Sequence, residues 1–286
     1  MKKIKYFFEF IIILLLFFIY KILGLKISSF ISGKIFEFFG PLFRSKQIIK
    51  SNIQRAIPQI NSKKIDDIKK DMWNNYGRTL SEYMFLKNFR NNKLESNIHL
   101  EGGEILEEIK KEKKPVIFVS GHFSNFELMA MQIEKFGVSL AAIYRPLNNI
   151  FLNILMERIR KKYICKNQIK KGTRGVRELL KLYKRGYSIA LMIDQRVTQG
   201  TKSKFFDEEA FTTTIPAQFI RKFNCKVVPI YIERFNDINF NIKIEKPIKF
   251  SKDVSTEKIT RDLNIWLEKM ILKNPGKWIW THNRWK

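Results

Sequence analysis

The stretch Val116-Ile117-Phe118-Val119-Ser120-Gly121-His122-Phe123-Ser124-Asn125-Phe126-Glu127 decides how this 286-residue chain is read. A short apolar run of strand character, Val116–Ser120, passes through a polar turn into an apolar pattern of helical spacing, Ser124–Phe136. The turn carries His122 and, five positions on, the carboxylate of Glu127. An imidazole held by a carboxylate accepts a proton from a hydroxyl at neutral pH. No Ser, Cys or Thr stands beside it as an evident nucleophile, so the pair points to direct transfer with His122 as base. A second reading stays open: Ser124 and Glu127 fit the S-x-x-E capping box, in which Glu127 serves only the helix start.

Outward from this stretch, apolar strands alternate with helices. Candidate strands are 116–120, 140–144, 188–193, 227–232 and 240–244. Candidate helices are 104–112, 124–136, 151–163, 174–184, 216–223 and 256–272, with a further helical stretch over 62–89. This rhythm predicts an α/β fold: a single domain with a largely parallel central sheet flanked by helices. Polar residues gather where strands end: His122 after the first, Tyr144-Arg145-Pro146 at the second, Asp194-Gln195-Arg196 at the third. Open α/β sheets bind ligands at such carboxyl ends. Neither a P-loop nor a GxGxxG fingerprint occurs, and no Cys/His spacing suits zinc, so neither cofactor nor metal is expected.

The amino-terminal residues Tyr6–Leu25, YFFEFIIILLLFFIYKILGL, form a membrane segment. A full span takes roughly 20 mostly apolar residues, so both a short span and a deep one-sided anchor are open. No A-x-A-like site follows, which favours a retained anchor over a cleaved leader. The next stretch, Ile27–Phe43, places Ile27, Ile31, Ile35, Phe38 and Leu42 at helical spacing among basic residues. It suits either a membrane-surface helix or packing on the domain. The expected organisation is an anchor over 1–25, an amphipathic membrane-proximal region over 26–60 and the main domain over 61–286.

Lys and Arg number 54 against 27 Asp and Glu, a formal charge of +27. The excess is mostly lysine spread along the whole chain, which fits attraction to an anionic membrane rather than base readout, and no nucleic-acid partner is expected. Cys165 and Cys225 are read as reduced thiols, with a single disulfide the alternative.

Taken in order, these features resemble the late acyltransferases of lipid A assembly, the lauroyl/myristoyl transferases of the lysophospholipid acyltransferase superfamily. The resemblance rests on Asn52-Ile53 with Ala56-Ile57-Pro58, His99-Leu100-Glu101-Gly102, the His122-x4-Glu127 motif, Tyr144-Arg145-Pro146 and Asp194-Gln195. It continues through Lys204-Phe205-Phe206, Thr212–Thr214 and the terminal Trp280-Thr281-His282-Asn283-Arg284-Trp285. It implies transfer of a fatty acyl group from acyl carrier protein to a hydroxyl of a 3-hydroxyacyl chain on a Kdo-lipid A precursor. It also implies a bacterial inner-membrane location with the domain facing the cytoplasm. Glu127 is then expected to orient His122, and Arg160, Arg145 and Asp194 to serve substrate binding, with Asp194 holding Arg160 or Arg145 or positioning the acceptor. Arg196 and Asp207 depart from the family pattern, the latter where glycine is common, and put the shape of the acceptor pocket in question. A lysophospholipid or other glycolipid acceptor is the alternative, although no Pro-Glu-Gly-Thr element occurs. A non-catalytic basic membrane protein is the reading from another class.

Overall fold

The computed structural model describes residues 2–286. It opens with α1 (Lys2–Phe39), α2 (Lys46–Ala56), α3 (Ser62–Glu82) and the short α4 (Leu86–Arg90). Then β1 (Ile98–Glu101), α5 (Gly103–Glu112), β2 (Ile117–Ser120), α6 (Glu127–Lys135) and β3 (Leu140–Tyr144) follow. The chain continues through α7 (Ile150–Tyr163), β4 (Asn167–Lys170), α8 (Thr173–Lys184), β5 (Ser188–Met192) and the hairpin β6 (Thr201–Phe205) and β7 (Glu208–Thr212). It ends in α9 (Ile215–Phe223), β8 (Val227–Phe235), β9 (Asn239–Ile244) and α10 (Thr256–Lys273).

Seven strands form one sheet in the order β1-β9-β8-β2-β5-β3-β4, parallel except between β8 and β9. The expected α/β architecture is therefore the observed one. β2 is buried at every position, as a central strand covered by helices on both faces must be. The strand after β2 in sequence, β3, lies beyond β5, whereas β5 is followed across the sheet by β8 on the other side of β2. Connections thus diverge around β2 and β5, the kind of switch point at whose carboxyl ends open α/β sheets bind ligands.

Four strands escaped the sequence pattern. β1 and β4 are four-residue edge strands, and β4 reads Asn-Gln-Ile-Lys, with too little apolar alternation to register. The β6–β7 hairpin is rich in Lys and Glu on its outer face. Its two-residue tip, Phe206-Asp207, has φ of 51° and 60°, the left-handed conformation that a tight hairpin requires and glycine adopts most easily. Asp207 is thus an exposed turn residue. The long helix expected over 62–89 breaks at Glu82, where a turn of 3-10 helix, Tyr83–Phe85, leads into α4.

α1 is bent at Gly24, whose φ of 75° and ψ of 167° interrupt the helix. Its second half packs on α3 through small residues. Ser32 Oγ donates to the Gly77 carbonyl at 2.6 Å, and a β-carbon on Gly77 would stand 2.1 Å from the Ser32 carbonyl oxygen. The two backbones touch, so an added methyl forces them apart. Gly77→Ala is expected to destabilise the fold by about 1–3 kcal/mol, read as a lower thermal midpoint in detergent.

Candidate active site

Ser120 of β2 is in register with Met192 of β5. Two residues past each lie His122 and Asp194, so parallel pairing brings these two side by side at the end of the sheet. His122 Nδ1 is 2.8 Å from Asp194 Oδ1, and the His122 backbone N–H donates to Asp194 Oδ2 at 2.9 Å. The Trp278 indole N–H donates to the same Oδ2 at 2.9 Å. Burial opposes the Asp194 charge, yet the facing imidazole, the His122 backbone N–H and the Trp278 indole outweigh it and hold the carboxyl down at about 2. An ionised Asp194 fixes the proton on Nδ1 and leaves Nε2 as the basic atom. Nε2 makes no hydrogen bond among the described residues, the side chain stays partly exposed, and Phe126 meets the ring edge-on at 4.8 Å.

The partner expected for His122 was Glu127, and here the structure differs. Glu127 opens α6 and is buried against Arg160, which reaches Glu127 Oε1 through Nε at 2.8 Å and Nη2 at 2.6 Å. The Tyr83 hydroxyl donates to the same oxygen and accepts from Arg160 Nη2 at 2.9 Å. Burial works against the Arg160 charge, but Glu127 and Tyr83 more than offset it and keep the guanidinium protonated. Burial and the Glu127 charge push the Tyr83 phenol up, so it remains a neutral donor. Arg160 also lies about equally over the Tyr83 and Tyr144 rings, at 6.0 Å from each. Its Nη1 has no partner among the described residues. Asp194, expected to hold Arg160 or Arg145, holds His122 instead.

The capping-box reading is also replaced. Ser124 has a φ of 42°, and its Oγ accepts from the Arg234 backbone N–H at 3.0 Å rather than from α6. Asn125 donates to Glu82 Oε2 at 2.9 Å, Thr79 Oγ1 donates to the Ser124 carbonyl at 3.2 Å, and Ser124 N donates to the Lys277 carbonyl at 3.0 Å. At the centre, Glu82 and Arg234 form a fully buried two-pronged ion pair. Ser29 of α1 donates to Glu82 as well, at 3.1 Å. The loop behind His122 is thereby fixed from α3, β8 and the carboxyl-terminal segment.

Arg145 lies exposed at the end of β3, and nearby Lys171 follows β4. Burial and then the Arg145 charge push the Lys171 ammonium down, as expected where two cations share a site without a carboxylate between them. Met129 and Met131 are core, whereas Phe126 is half-buried against the His122 ring. His99 is exposed on β1, away from the site. His282 Nε2 accepts from the Arg196 backbone N–H at 2.9 Å, and burial lowers this imidazole to about 4, so it is a neutral structural acceptor. Arg284 is buried, donating to the Phe211 carbonyl and to Thr212 Oγ1. Cys165 and Cys225 are free and buried.

Sequence reasoning missed Tyr83, Glu82, Arg234 and the link from Trp278 to Asp194. Each lies tens of residues from His122 on a helix or strand where it reads as ordinary amphipathic pattern. The one local signal was the terminal tryptophan cluster itself.

The profile of the family described as bacterial lipid A biosynthesis acyltransferases matches residues 1–286. Among curated proteins, lipid A biosynthesis acyltransferase 2 of Shigella flexneri is 21% identical over 195 residues, 66% of this chain and 61% of that protein. The lipid A biosynthesis myristoyltransferase of Escherichia coli is 22% identical over 193 residues, 66% of this chain and 58% of the relative. The chain thus matches about three fifths of the length of these two. The palmitoleoyltransferase of Escherichia coli is 21% identical over 248 residues, 86% of this chain and 80% of its own length.

Two outcomes follow from the geometry. Glu82→Gln leaves Arg234 buried without a full counter-charge and is expected to cost about 3–5 kcal/mol, measured by denaturant unfolding. Asp194 drops from an ordinary 3.8 to about 2, worth about 2 kcal/mol. Because the folded value is the lower one, this stabilisation is complete above pH 4 and is lost as the pH falls towards 2. Asp194→Asn is expected to flatten that part of the stability–pH curve.

Proposed function

The chain belongs to the bacterial lipid A biosynthesis acyltransferase family, and from that premise we propose that it moves a fatty acyl group from acyl carrier protein to a hydroxyl of a 3-hydroxyacyl chain on a Kdo-lipid A precursor. The observation that carries the reading is the 2.8 Å contact between His122 Nδ1 and a fully buried, ionised Asp194. His122 Nε2 takes the proton of the acceptor hydroxyl as that oxygen attacks the thioester carbonyl. Asp194 then sits against the imidazolium that forms and stabilises it. The tetrahedral intermediate collapses, the carbon–sulfur bond breaks, and the imidazolium returns its proton to the departing thiolate. No covalent enzyme intermediate is needed.

Glu127 acts in this scheme as the holder of Arg160. With Nε and Nη2 engaged, Arg160 presents Nη1 to anionic oxygen of the donor or acceptor. Arg145 and Lys171 supply a second cationic position for the phosphates of the acceptor. A net charge of +27 suits both an acidic carrier protein and a phosphorylated lipid. The proposed location is the bacterial inner membrane with the catalytic domain on the cytoplasmic side, where acyl carrier protein is found. The free thiols agree with a reducing compartment.

The test is acyl transfer by the purified full chain in detergent, with acyl carrier protein carrying chains of several lengths and a Kdo-lipid A precursor as acceptor. Wild type is expected to give a heavier lipid by mass spectrometry. His122→Ala is expected to lose about 10²–10⁴-fold. Asp194→Asn is expected to lose about 10³–10⁴-fold, because an amide cannot hold the tautomer or face the imidazolium. Product from a lysophospholipid but not from the lipid A precursor would replace the acceptor. Equal product from wild type and His122→Ala would remove the mechanism.

A further inference from the structure

α1 carries two faces along its first half. Tyr6, Phe10 and Ile13 are half-buried, and Phe17 and Tyr20 are 3% and 1% exposed, all on one stripe that faces the domain. Phe8, Ile12, Leu15, Phe18 and Ile22, between 57% and 69% exposed, form the opposite stripe. The docking reaches almost to the amino end. Phe7 and Phe10 pack on Phe151 of α7 at 5.7 and 6.0 Å between ring centres. Asn149, which caps α7, donates to the Tyr6 carbonyl at 2.8 Å and to the Glu9 carboxylate at 3.1 Å.

A helix that crosses a bilayer leaves its domain where it enters the hydrocarbon. α1 instead stays against the domain from Tyr6 to Tyr20, about 21 Å of helix out of roughly 30 Å of hydrocarbon thickness. A span would drag the start of α7 and the exposed Arg145 just before it into the membrane with α1, at the cost of burying charge in lipid. Glu9 poses the same problem in a span and none here, since it lies on the domain side with Asn149.

After the bend at Gly24, Ile27, Phe30, Phe38, Leu42 and Phe43 continue an exposed apolar face, 52% to 76% exposed. Leu147, Ile150 and Ile154, at the start of α7, are exposed at 39%, 47% and 53% beside the docked end of α1. Lys2, Lys3, Lys5, Lys21, Lys26 and Lys34 are all exposed along the same helix. Long apolar faces edged by lysine match an anionic lipid surface entered from one side.

We infer that this protein is monotopic: both halves of α1 and the first turns of α7 lie in one leaflet as a single lipid-binding surface, and α1 does not cross the bilayer. The turn that carries Tyr83 packs on α1, and α7 carries Arg160. The two helices that meet lipid are therefore also the ones that adjoin the Glu127–Arg160 pair. The inference rests on how α1 is docked and stands apart from the acyl-transfer reading.

The experiment adds full-length protein from dilute detergent to preformed vesicles of phosphatidylethanolamine and phosphatidylglycerol. Lys3→Cys and, as a marker of the domain side, Lys269→Cys are probed with a membrane-impermeant maleimide; the native Cys165 and Cys225 are buried. Both engineered thiols are expected to react to the same extent before and after the vesicles are dissolved. Reaction of Lys3→Cys only after dissolution, with Lys269→Cys open throughout, would show a span and overturn the inference. In a second arm, a fluorophore on Ile154→Cys is expected to be quenched by nitroxides on the lipid acyl chains. No quenching, or failure of the protein to float with vesicles, would overturn the three-element surface.

Discussion

The buried pair of Glu82 and Arg234 is the contact on which the rest of the site depends. A carboxylate and a guanidinium out of water are tolerable only when each is fully hydrogen-bonded. Here Glu82 takes hydrogen bonds from Arg234, Asn125 and Ser29, while Arg234 also reaches Asn75. Those partners come from α1, α3, β8 and the loop after His122. Satisfying one buried charge pair thus ties α1, the sheet and the loop after His122 into a single arrangement. It also explains how Ser124, a non-glycine residue, is held at a φ of 42°, since several hydrogen bonds over-determine that turn.

The two acidic residues near the site divide their work by their surroundings. Asp194 is bonded by the imidazole, a backbone N–H and an indole, and stays ionised. Glu127 is joined to a permanent cation, Arg160, and to a neutral phenol. Its position five residues after His122 therefore reflects an arginine placed at the mouth of α6, with the imidazole served from the neighbouring strand. The carboxyl-terminal segment takes part in both fold and site: Trp278 donates to Asp194, and the His282 and Trp280 carbonyls accept from Asn52 of α2.

Charge and apolar surface also act together. Part of the lysine excess, Lys2, Lys3, Lys5, Lys21, Lys26 and Lys34, lies along the exposed apolar helix α1, and Arg145 and Lys171 lie at the sheet ends. The Phe and Ile residues at helical spacing in 27–43 turned out to face outward, while Ser28, Ser29, Ser32 and Gly33 make the packed side. Small polar residues allow close backbone approach to α3, and the large apolar ones are left exposed.

The sequence by itself determined the alternation of strands and helices, the apolar amino-terminal helix and the placing of His122 at a strand end. Those features are local: side-chain periods of two and 3.6 residues are written into neighbouring positions. It could not show short polar strands such as β4, whose pairing supplies the order that their composition lacks. Nor could it choose the partner of His122. Nearness along the chain pointed to Glu127, but five residues that include a left-handed turn carry that side chain away to Arg160. Asp194 is 72 positions distant, and only the parallel register of β2 on β5 brings it within hydrogen-bonding reach. Which carboxylate meets the imidazole was decided by strand order, a property of the folded sheet that no local pattern encodes.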